Sequence, residues 1–573
     1  MEQDQVHPPI MPAVDSHLLL RAIVDEFARC GVEHAAIAPG SRNTPIVQAL
    51  VRDERISCWS HIDERCAGFF ALGAAKASGR PAVVTCTSGT AGANLLPAVI
   101  EAREAGVPLI VLTADRPPEL RGIGAGQAID QIKLFGDGVK WFVELGVDQA
   151  TPETLRWVRS LACRAFITAT QDRPGPVHIN VPLREPLVAD GTLPPEPGPG
   201  GREGGAPWVT ALPSQAPPRT PRKHEFDGVV FVAGELGADP GLGARLAAFA
   251  ARAGVPLLAD PQSGARSGPA AIAHYDLILR QDQPALTPQV VCRIGELPTS
   301  KPLRNWIASL NDAYHVTFAA DSGWSDPSSQ VFQRSVGSLG QLFDQLENDE
   351  VLPADPSWLA AWRTADDAVA QAIAAPLADS GLSEPALAAL LGSALPAYAT
   401  LVVASSMPIR DVEEFFPVRD APPRLLANRG ANGIDGTVST AFGVAAATEG
   451  PVVLLIGDVT LAHDIGGLLA ARRTGLKLTI VLINNDGGGI FHFLPIAAEE
   501  DVFERHVATP HGLDFTHAAT LYGCEYQRAV DVAGFHAALD SALAADATTI
   551  IEVRTERVGN RELHAQIAAA AAG

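Results

Sequence analysis

Short apolar runs alternate with longer amphipathic segments along most of the chain. Between about residues 16 and 188, the amphipathic segment LLLRAIVDEFARCG precedes the apolar run HAAIAP, and the runs PAVVTCTS and PLIVLTAD follow, each bounded by turn residues. Short apolar runs separated by segments of helical length predict parallel strands joined by crossover helices. The first third of the chain is therefore predicted to be a parallel sheet with helices on both faces.

The same pattern occurs twice more. One block contains GVVFVAGE, VPLLAD and VVCRIGE, and the other contains TLVVASS, PVVLLIGD, KLTIVLINN and TTIIEVRT. A stretch rich in proline and glycine, which has no periodicity, separates the first two blocks and is typical of a linker. We therefore predict an α/β protein with three doubly wound parallel-sheet domains at residues 14–190, 227–378 and 379–573, and a linker at 191–226. Ligands of such sheets bind at the carboxyl ends of the strands.

Composition narrows the function classes. The chain has 573 residues and a formal net charge of −22, which argues against nucleic acid or an anionic membrane as a partner. Its seven cysteines are scattered and include no CxxC pair, so we expect neither a disulfide framework nor a zinc site, but a reducing compartment. The first residues are acidic and polar, unlike a signal peptide, and no apolar run approaches the ~18 residues of a membrane helix. A cytoplasmic protein without membrane insertion is expected.

Two apolar runs of the third block end in residues that can bind a cation. PVVLLI leads into Gly457 and Asp458, and KLTIVLI leads into Asn484, Asn485, Asp486 and three glycines. A right-handed β-α-β crossover would bring both strand ends to one edge of the sheet. There the Asp458 carboxylate, the Asn485 side-chain carbonyl and a loop carbonyl would form an oxygen-only set that suits Mg²⁺ and a bound phosphate. An aspartate where a helix begins is also a common N-cap, and from this segment alone an N-cap explains Asp458 as well as a metal ligand does.

The pair formed by GD and NN at this spacing resembles the cofactor motif of thiamine diphosphate enzymes. The usual motif is GDG, whereas Val459 is the third residue here. The resemblance implies that thiamine diphosphate and Mg²⁺ (or Mn²⁺) bind here. The implied metal ligands are Asp458, Asn485 and the carbonyl of Gly487, and the implied cofactor contacts also include Gly457, Val459, Thr460 and Gly488.

The first block contains the acid that this cofactor requires. The segment ISCWSHIDERCAGFFALG, followed by TCTSGTAGAN, is similar to the pyrimidine-binding domain of the same superfamily. The resemblance implies that Glu64 is the catalytic partner of the aminopyrimidine ring, although a glutamate in the first turn of a helix is also common for its effect on the helix dipole. It also implies pyrimidine-binding, middle and diphosphate-binding domains in chain order. In these enzymes the glutamate and the diphosphate site belong to different chains, so a homodimer or a dimer of dimers is expected.

Five segments spread over the chain resemble one family, the 2-succinyl-5-enolpyruvyl-6-hydroxy-3-cyclohexene-1-carboxylate synthases of menaquinone biosynthesis. They are APGSRNTP, HIDERCAGFFALG, TADRPPEL with GQAIDQ, SSMPIRD with NRGANGIDGTVSTAFG, and GDVT with NNDGGGIFHFLP. The implied transferase reaction decarboxylates 2-oxoglutarate and adds the succinyl carbanion to isochorismate. One departure is Gly126, where related sequences often have asparagine.

Both implied substrates are dicarboxylates, and the planar fork of arginine suits carboxylates. By the resemblance, the substrate contacts are Ser41, Arg42, Arg116, Gln127, Lys301, Ser406, Arg410, Arg429 and Leu494. Each arginine could equally be a solvated surface charge. Ile434 resembles the apolar residue that bends the cofactor, and Ile490, Phe491 and Leu494 resemble the apolar lining. Ordinary core packing is the alternative for these four.

Two other functions remain open from the sequence. One is a different thiamine diphosphate carboligase or decarboxylase of the acetohydroxyacid type, which handles small acyl groups and does not need the arginine set. The other is a non-catalytic relative, against which the joint presence of Glu64, Asp458 and Asn485 argues.

Overall fold

The computed structural model describes residues 13–189, 192–198, 200–211 and 222–573. Three parallel sheets with helices packed on their faces account for most of this length, so the predicted fold class is confirmed. Within the described ranges, no helix is long and apolar enough to cross a membrane. The predicted linker at 191–226 lies partly outside the described residues.

The first unit is a six-stranded sheet of order β2-β1-β3-β4-β6-β5. Helices α1 and α6 pack together on one face, while α3 and α5 pack on the other. The strands are β1 (His34–Ile37), β2 (Ser57–Ser60), β3 (Ala82–Cys86), β4 (Leu109–Asp115), β5 (Trp141–Glu144) and β6 (Pro176–Pro182), and the helices are α1 (Ala13–Cys30), α2 (Thr44–Val51), α3 (Glu64–Ser78), α4 (Thr90–Asn94), α5 (Leu96–Glu104) and α6 (Pro152–Thr170).

The middle unit is a five-stranded sheet of order β12-β11-β10-β8-β9, beside a two-stranded sheet of β13 and β7. The strands are β7 (Lys223–Glu225), β8 (Val229–Ala233), β9 (Leu257–Ala259), β10 (Val290–Ile294), β11 (Tyr314–Ala319), β12 (Gln333–Val336) and β13 (Glu350–Leu352), and the helices are α7 (Gly241–Ala253), α8 (Tyr275–Ile278), α9 (Lys301–Ser309), α10 (Leu339–Asn348) and α11 (Pro356–Asp379). Strand β7 lies inside the predicted linker, and the predicted limit at 378/379 falls at the end of α11. The domain limits therefore stay predictions.

The third unit is again a six-stranded sheet, of order β15-β14-β16-β17-β19-β18. The strands are β14 (Thr400–Val403), β15 (Arg424–Ala427), β16 (Val452–Gly457), β17 (Thr479–Asn484), β18 (Glu525–Ala529) and β19 (Thr549–Arg554). The helices are α12 (Glu384–Ala394), α13 (Met407–Phe415), α14 (Thr437–Ala446), α15 (Asp458–His463), α16 (Leu469–Thr474), α17 (Glu500–Val502), α18 (Phe515–Tyr522), α19 (Val532–Ala544) and α20 (Arg557–Ala571), with short 3₁₀ helices at Ile465–Leu468, Gly489–Phe493 and Pro495–Ala498 and a π-helix at Phe503–Ala508.

The first and third units share one hydrophobic core, because α3 packs directly against α14. The two helix backbones approach closely at glycines: a Cβ added to Gly73 would lie 2.1 Å from the Thr440 carbonyl oxygen, and one added to Gly443 would lie 2.0 Å from that of Phe70. Any residue with a Cβ atom at either position would clash with the backbone of the other helix. The junction thus sets how the strand ends of the two sheets are placed relative to each other.

Candidate active site

Strands β16 and β17 are neighbours in the third sheet, and Gly457 is paired with Ile483 in their register. Their carboxyl ends therefore bring Asp458 and Asn485 to the same edge. The crossover between them was expected to be one helix, but it consists of α15, a 3₁₀ turn and α16. It breaks after His463 because the buried carboxylate of Asp464 accepts a hydrogen bond from the Ser439 backbone N–H at 2.8 Å, on a different helix.

Asp458 connects the two strand ends. Its side chain is 2% exposed, and its carboxylate accepts backbone N–H bonds from Val459 (2.7 Å), Asn485 (3.1 Å) and Gly487 (3.1 Å). Burial raises the pKa of Asp458, and the N–H donors oppose this rise. The N-cap residue of α15 is Gly457, and Asp458 is the first residue of the helix rather than its cap. The side chain is therefore placed as a buried anion facing the loop after β17.

A second acid, Glu384, orients the side-chain amide of Asn485. Its Nδ2 donates to Glu384 Oε1 at 2.9 Å, and Glu384 also accepts from Thr555 Oγ1 at 2.8 Å. Within the described ranges, Asn485 Oδ1 is buried and has no hydrogen-bond partner. A buried acceptor without a donor calls for a ligand, and this one lies beside a buried carboxylate. The oxygen-only donor set fits a hard divalent cation.

The glycines around these two side chains leave room for a ligand and fix the loop. A Cβ added to Gly457 would meet no atom within 4 Å, so the strand end faces open space. Gly487 has φ +137°, and a Cβ there would lie 2.5 Å from the Ala508 carbonyl oxygen. Only glycine therefore fits at position 487, where the backbone is left-handed and packs against Ala508. Of the other predicted cofactor contacts, Thr460 is buried, and Val459 and Gly488 are half-buried.

Two residues of this site were missed by sequence reasoning. Glu384 starts helix α12, and burial together with the nearby Asp411 raises the pKa of Glu384 to about 7. His511 places Nε2 3.2 Å from Asp458 Oδ2, and its backbone N–H donates to Asp486 Oδ1 at 2.9 Å. No spacing or motif in the sequence connects either residue to Asp458 or Asn485.

The four predicted apolar contacts lie outside the buried cores. Ile434, Ile490 and Phe491 are half-buried and Leu494 is 47% exposed. Full burial in a core therefore does not account for these four, and their contact with the cofactor or substrate stays a prediction. Ile490 and Leu494 line a cavity of about 910 Å³ between the middle and third units.

The same cavity is lined by several cations, together with the acids Asp276, Glu413 and Glu414. Lys301, Arg304 and Arg410 contribute to its wall. Arg429 lies close by: burial lowers its pKa, and the positive charges of Arg410 and Arg304 lower it further. In the part of the chain that the structure describes, Arg410 donates to the Ser406 carbonyl and Arg429 to Ser405 Oγ at 3.3 Å, and neither forms an ion pair with an acid.

Ser406 itself has φ +78°, a left-handed backbone conformation that a serine seldom adopts. Backbone strain of this kind is concentrated at binding sites. The strained Ser406 therefore lies beside a group of cations that repel one another, and such a group is suited to bind a polyanion.

A second group of predicted substrate residues lies at the carboxyl edge of the first sheet. Arg42 follows β1 and Arg116 follows β4, while Ser88 follows the strand between them. Arg116 donates to Ser88 Oγ, and Gln127 Nε2 donates to the Ser88 carbonyl at 3.0 Å. Burial lowers the pKa of Arg116, and the charge of Arg42 lowers it further. Ser88 is thus the centre of this group and was not predicted.

The remaining residues of this edge differ in their exposure. Ser41 is exposed, whereas Arg42 is buried and binds the Leu183 carbonyl at 2.9 Å and Glu185 Oε1 at 3.1 Å. Around Gly126 a Cβ would meet nothing within 4 Å, so the space that the more usual asparagine would use is open.

Within one chain, Glu64 does not face the Asp458 edge. Its neighbours Arg65 and Cys66 contact the other end of α15: Arg65 Nη2 donates to the His463 carbonyl at 3.0 Å, and Cys66 Sγ lies 3.6 Å from Asp464 Oδ1. Helix α15 has six residues and is about 9 Å long, so its two ends are separated by about that distance. The Glu64 side chain forms no hydrogen bond or ion pair with any residue in the described ranges.

Comparison with known proteins agrees with this geometry. The chain matches the N-terminal thiamine pyrophosphate binding domain over residues 19–134, the middle domain over 207–403 and the C-terminal thiamine pyrophosphate binding domain over 409–553. Thiamine pyrophosphate is another name for thiamine diphosphate.

Relatives named 2-succinyl-5-enolpyruvyl-6-hydroxy-3-cyclohexene-1-carboxylate synthase match nearly the whole chain. That of Chloroflexus aurantiacus is 43% identical over 569 residues, covering 94% of this chain and 93% of the relative. Those of Roseiflexus sp. strain RS-1 and Bacillus pumilus are 41% and 40% identical, covering 93% and 95% of this chain and 94% and 95% of the relatives. The chain therefore belongs to the 2-succinyl-5-enolpyruvyl-6-hydroxy-3-cyclohexene-1-carboxylate synthase family of thiamine diphosphate enzymes.

Proposed function

We propose that this enzyme decarboxylates 2-oxoglutarate and joins the succinyl unit to isochorismate by 1,4-addition, which gives 2-succinyl-5-enolpyruvyl-6-hydroxy-3-cyclohexene-1-carboxylate for menaquinone biosynthesis. The observation that carries the proposal is a group of cations at the cavity between the middle unit and the third unit, which also holds the Asp458–Asn485 site. Lys301, Arg304 and Arg410 line this cavity, Arg429 lies close by, and none of the four forms an ion pair within the described residues. An enzyme of the acetohydroxyacid type, which handles small acyl groups, has no use for this group.

The metal would be Mg²⁺ or Mn²⁺, held by the Asp458 carboxylate, Asn485 Oδ1 and the Gly487 carbonyl. The orphaned Asn485 oxygen and the open space at Gly457 support this assignment. Thiamine diphosphate, when bound, supplies a nucleophilic carbon that takes up the keto group of an oxo acid. Ile434, Ile490 and Phe491 would shield it from water, and the Glu64 carboxyl would hold and exchange a proton at the aminopyrimidine ring.

Substrate selection falls to the cationic groups. In a chain of net charge −22, dicarboxylates are repelled everywhere except where arginines are concentrated. Arg410, Arg429 and Lys301 on one side, and Arg42, Arg116, Ser41 and Gln127 on the other, would bind the four carboxylates of the two substrates. Burial lowers the pKa of Arg116, Arg410 and Arg429, which means that these arginines are partly desolvated. A carboxylate would bind them more strongly than in water, because charges attract more strongly where the dielectric constant is low.

The proposal requires a homodimer, or a dimer of dimers. In one chain, the two cationic groups have no contact in the described ranges, and Glu64 lies at the wrong end of α15. Ile62, next to the Glu64 helix, is 65% exposed, and Leu96 and Ile100 of α5 are exposed as well. Exposed apolar side chains beside an incomplete site fit a subunit interface. Glu64 and the Arg116 group of one subunit would then face Asp458 and Arg429 of the other.

A cytoplasmic location accompanies this proposal, supported by seven free cysteines. The direct test of function is incubation of the full chain with thiamine diphosphate, Mg²⁺, 2-oxoglutarate and isochorismate, with mass spectrometry of the product. Omission of each component in turn is the control. Faster consumption of pyruvate than of 2-oxoglutarate, without the expected adduct, would assign the chain to the acetohydroxyacid type instead.

A further inference from the structure

Two cysteines of the first unit touch each other far from the candidate active site. Cys30 is the last residue of α1, Cys163 lies in the middle of α6, and their sulfur atoms are 3.7 Å apart. Cys163 is fully buried, whereas Cys30 is only half-buried. A disulfide bond is about 2 Å long, so rotation of the two side chains would have to close less than 2 Å.

Cys163 and the neighbouring Glu26 bind the backbone of residues 208 and 209, which follow the first unit in the chain. Cys163 Sγ lies 3.6 Å from Glu26 Oε1 and accepts a hydrogen bond from the Val209 backbone N–H at 3.3 Å. The Trp208 backbone N–H donates to the same Glu26 oxygen. Residues 208 and 209 thus cover the buried thiol and leave Cys30 as the side from which a reagent can enter.

Glu26, Cys30 and Cys163 could also hold a metal ion, since their ligand atoms lie within 4.8 Å of one another. The carboxylate is already occupied, however. Glu26 Oε2 accepts from Arg159 Nη1 at 2.9 Å, and this guanidinium is buried beside it. A divalent cation would have to approach a buried positive charge, which disfavours metal binding relative to reaction between the two sulfurs.

We propose that Cys30 and Cys163 are a redox modification site that forms a reversible intrachain disulfide with low-molecular-weight disulfides. The hydrogen bond to Cys163 and burial raise the pKa of the Cys30 thiol, which has to lose its proton before it reacts. The Cys30 sulfur then attacks the oxidant, the S–S bond of the oxidant breaks, a mixed disulfide forms, and the departing small thiol takes up the proton. The Cys163 sulfur then attacks Cys30 Sγ, the mixed S–S bond breaks and the second small thiol leaves. The two protein thiols lose two electrons and two protons, which reduce the oxidant disulfide to two thiols.

The bond would join α1 to α6 across 133 residues of chain, and a cross-link that closes a long loop restricts the unfolded state. It would leave the candidate active site unchanged. Cys30 precedes the start of β1, whereas Ser41 and Arg42 follow its carboxyl end, so pair and site lie at opposite edges of the sheet. Oxidation should therefore raise the thermal midpoint of unfolding by a few degrees and leave kcat/KM within about twofold.

The test oxidises the full chain with glutathione disulfide and compares it with reduced protein by intact mass and by peptide mapping. A loss of two hydrogens, a Cys30–Cys163 cross-linked peptide and reversal by dithiothreitol are expected. The cross-link must be absent from Cys30→Ser and from Cys163→Ala. It must persist in Cys58→Ser, the matched control, because Cys58 is a half-buried cysteine of the same unit.

Three results would overturn the proposal. The first is a stable glutathione adduct on Cys30 without the cross-link. The second is full alkylation of both thiols after oxidant has been removed. The third is a stoichiometric zinc ion in protein prepared with zinc, lost in Cys30→Ser, which would assign the cluster to metal binding. Since Cys30 is half-buried, Cys30→Ser should fold even if Cys163→Ala does not.

Discussion

At the scale of single residues, the candidate metal site depends on one amide orientation. Asn485 can offer its oxygen to a cation only if its nitrogen is bound elsewhere, and Glu384 provides that acceptor at 2.9 Å. Partners of metal ligands commonly determine affinity as strongly as the geometry of the ligands does. Glu384 is in turn held by Thr555, whose hydroxyl donates to the same oxygen.

Removal of Glu384 should weaken cofactor binding without removing a ligand. We expect Glu384→Ala to lower the affinity for thiamine diphosphate with Mg²⁺ by roughly 10- to 100-fold, because the Asn485 amide loses its orientation and its buried N–H₂ loses its acceptor. Glu384→Gln should lose less, since its side-chain oxygen can still accept. Calorimetric titration measures both variants.

Thr555→Val is the control for this prediction, because it removes the other hydrogen bond of Glu384 and leaves Asn485 paired. A folded Glu384→Ala protein with undiminished affinity would show that the amide needs no such partner.

Asp458 leads to a simpler expectation. Asp458→Asn keeps the shape of the side chain and removes its charge, so Mg²⁺-dependent binding of thiamine diphosphate should be lost while the fold is retained. Calorimetry and the thermal midpoint together separate these outcomes. Asp514→Ala, which removes an exposed carboxylate that caps α18, serves as the control. Retained cofactor affinity in Asp458→Asn would leave Asp458 with a purely structural role.

At the scale of elements, the loop after β15 is held by helices of the first unit. The Glu101 side chain on α5 accepts backbone N–H bonds from Gly430 at 2.9 Å and Ala431 at 2.6 Å, and the Lys76 ammonium on α3 donates to the Ala427 carbonyl. Arg429 lies between these attachment points. Its position is therefore set by two helices of another unit rather than by its own sheet.

This attachment predicts that Arg429 and Glu101 act on the same step. Arg429→Ala should cost about 1.5–3 kcal/mol, or roughly 10- to 150-fold in kcat/KM for the substrate whose carboxylate it binds. Glu101→Gln retains one acceptor and should raise the KM of that substrate several-fold. Steady-state kinetics with 2-oxoglutarate, pyruvate and isochorismate varied in turn measures both.

Arg472→Ala, an exposed arginine of the same unit, is the matched control and should change nothing. Cofactor affinity should hold in all three variants. Equal losses with pyruvate and 2-oxoglutarate in Arg429→Ala would argue that Arg429 does not bind the distal carboxylate of the donor.

At the scale of the whole molecule, the question is whether one chain contains a complete site. The residues that follow Glu64, Arg65 and Cys66, contact His463 and Asp464 at the far end of α15 from Asp458, and the Glu64 side chain has no hydrogen bond or ion pair within the described ranges. A two-fold symmetric dimer would supply the missing half twice, once in each direction. Subunit exchange tests this without any knowledge of the interface.

Two inactive variants should restore activity when they are mixed. Glu64→Gln alone should lower turnover by roughly 10²-fold or more, and Asp458→Asn alone should be inactive. In a mixed dimer, one site combines both defects and the other combines Glu64 from one chain with Asp458 from the other. After unfolding and joint refolding at equal amounts, activity should return to about one quarter of the wild-type value.

Each variant refolded alone is the control for the mixture. If the mixture stays as inactive as its components, although mass spectrometry detects mixed dimers, then Glu64 and Asp458 serve the same chain.

Local sequence determined the parts of this protein that follow from strand topology. The buried strands are continuous apolar runs, and a parallel crossover brings their carboxyl ends to one edge, so Asp458 and Asn485 could be placed together before the fold was known. The edge strand β18 was not predicted, because it is only partly buried and lacks an apolar run. Tertiary packing alone decided the contacts of Glu384 with Asn485, 101 residues apart, of Glu101 with Gly430, 329 residues apart, and of Cys30 with Cys163. Such contacts depend on how helices and loops that are distant in sequence pack together, within a unit or between units, and no periodicity or spacing along the chain encodes that.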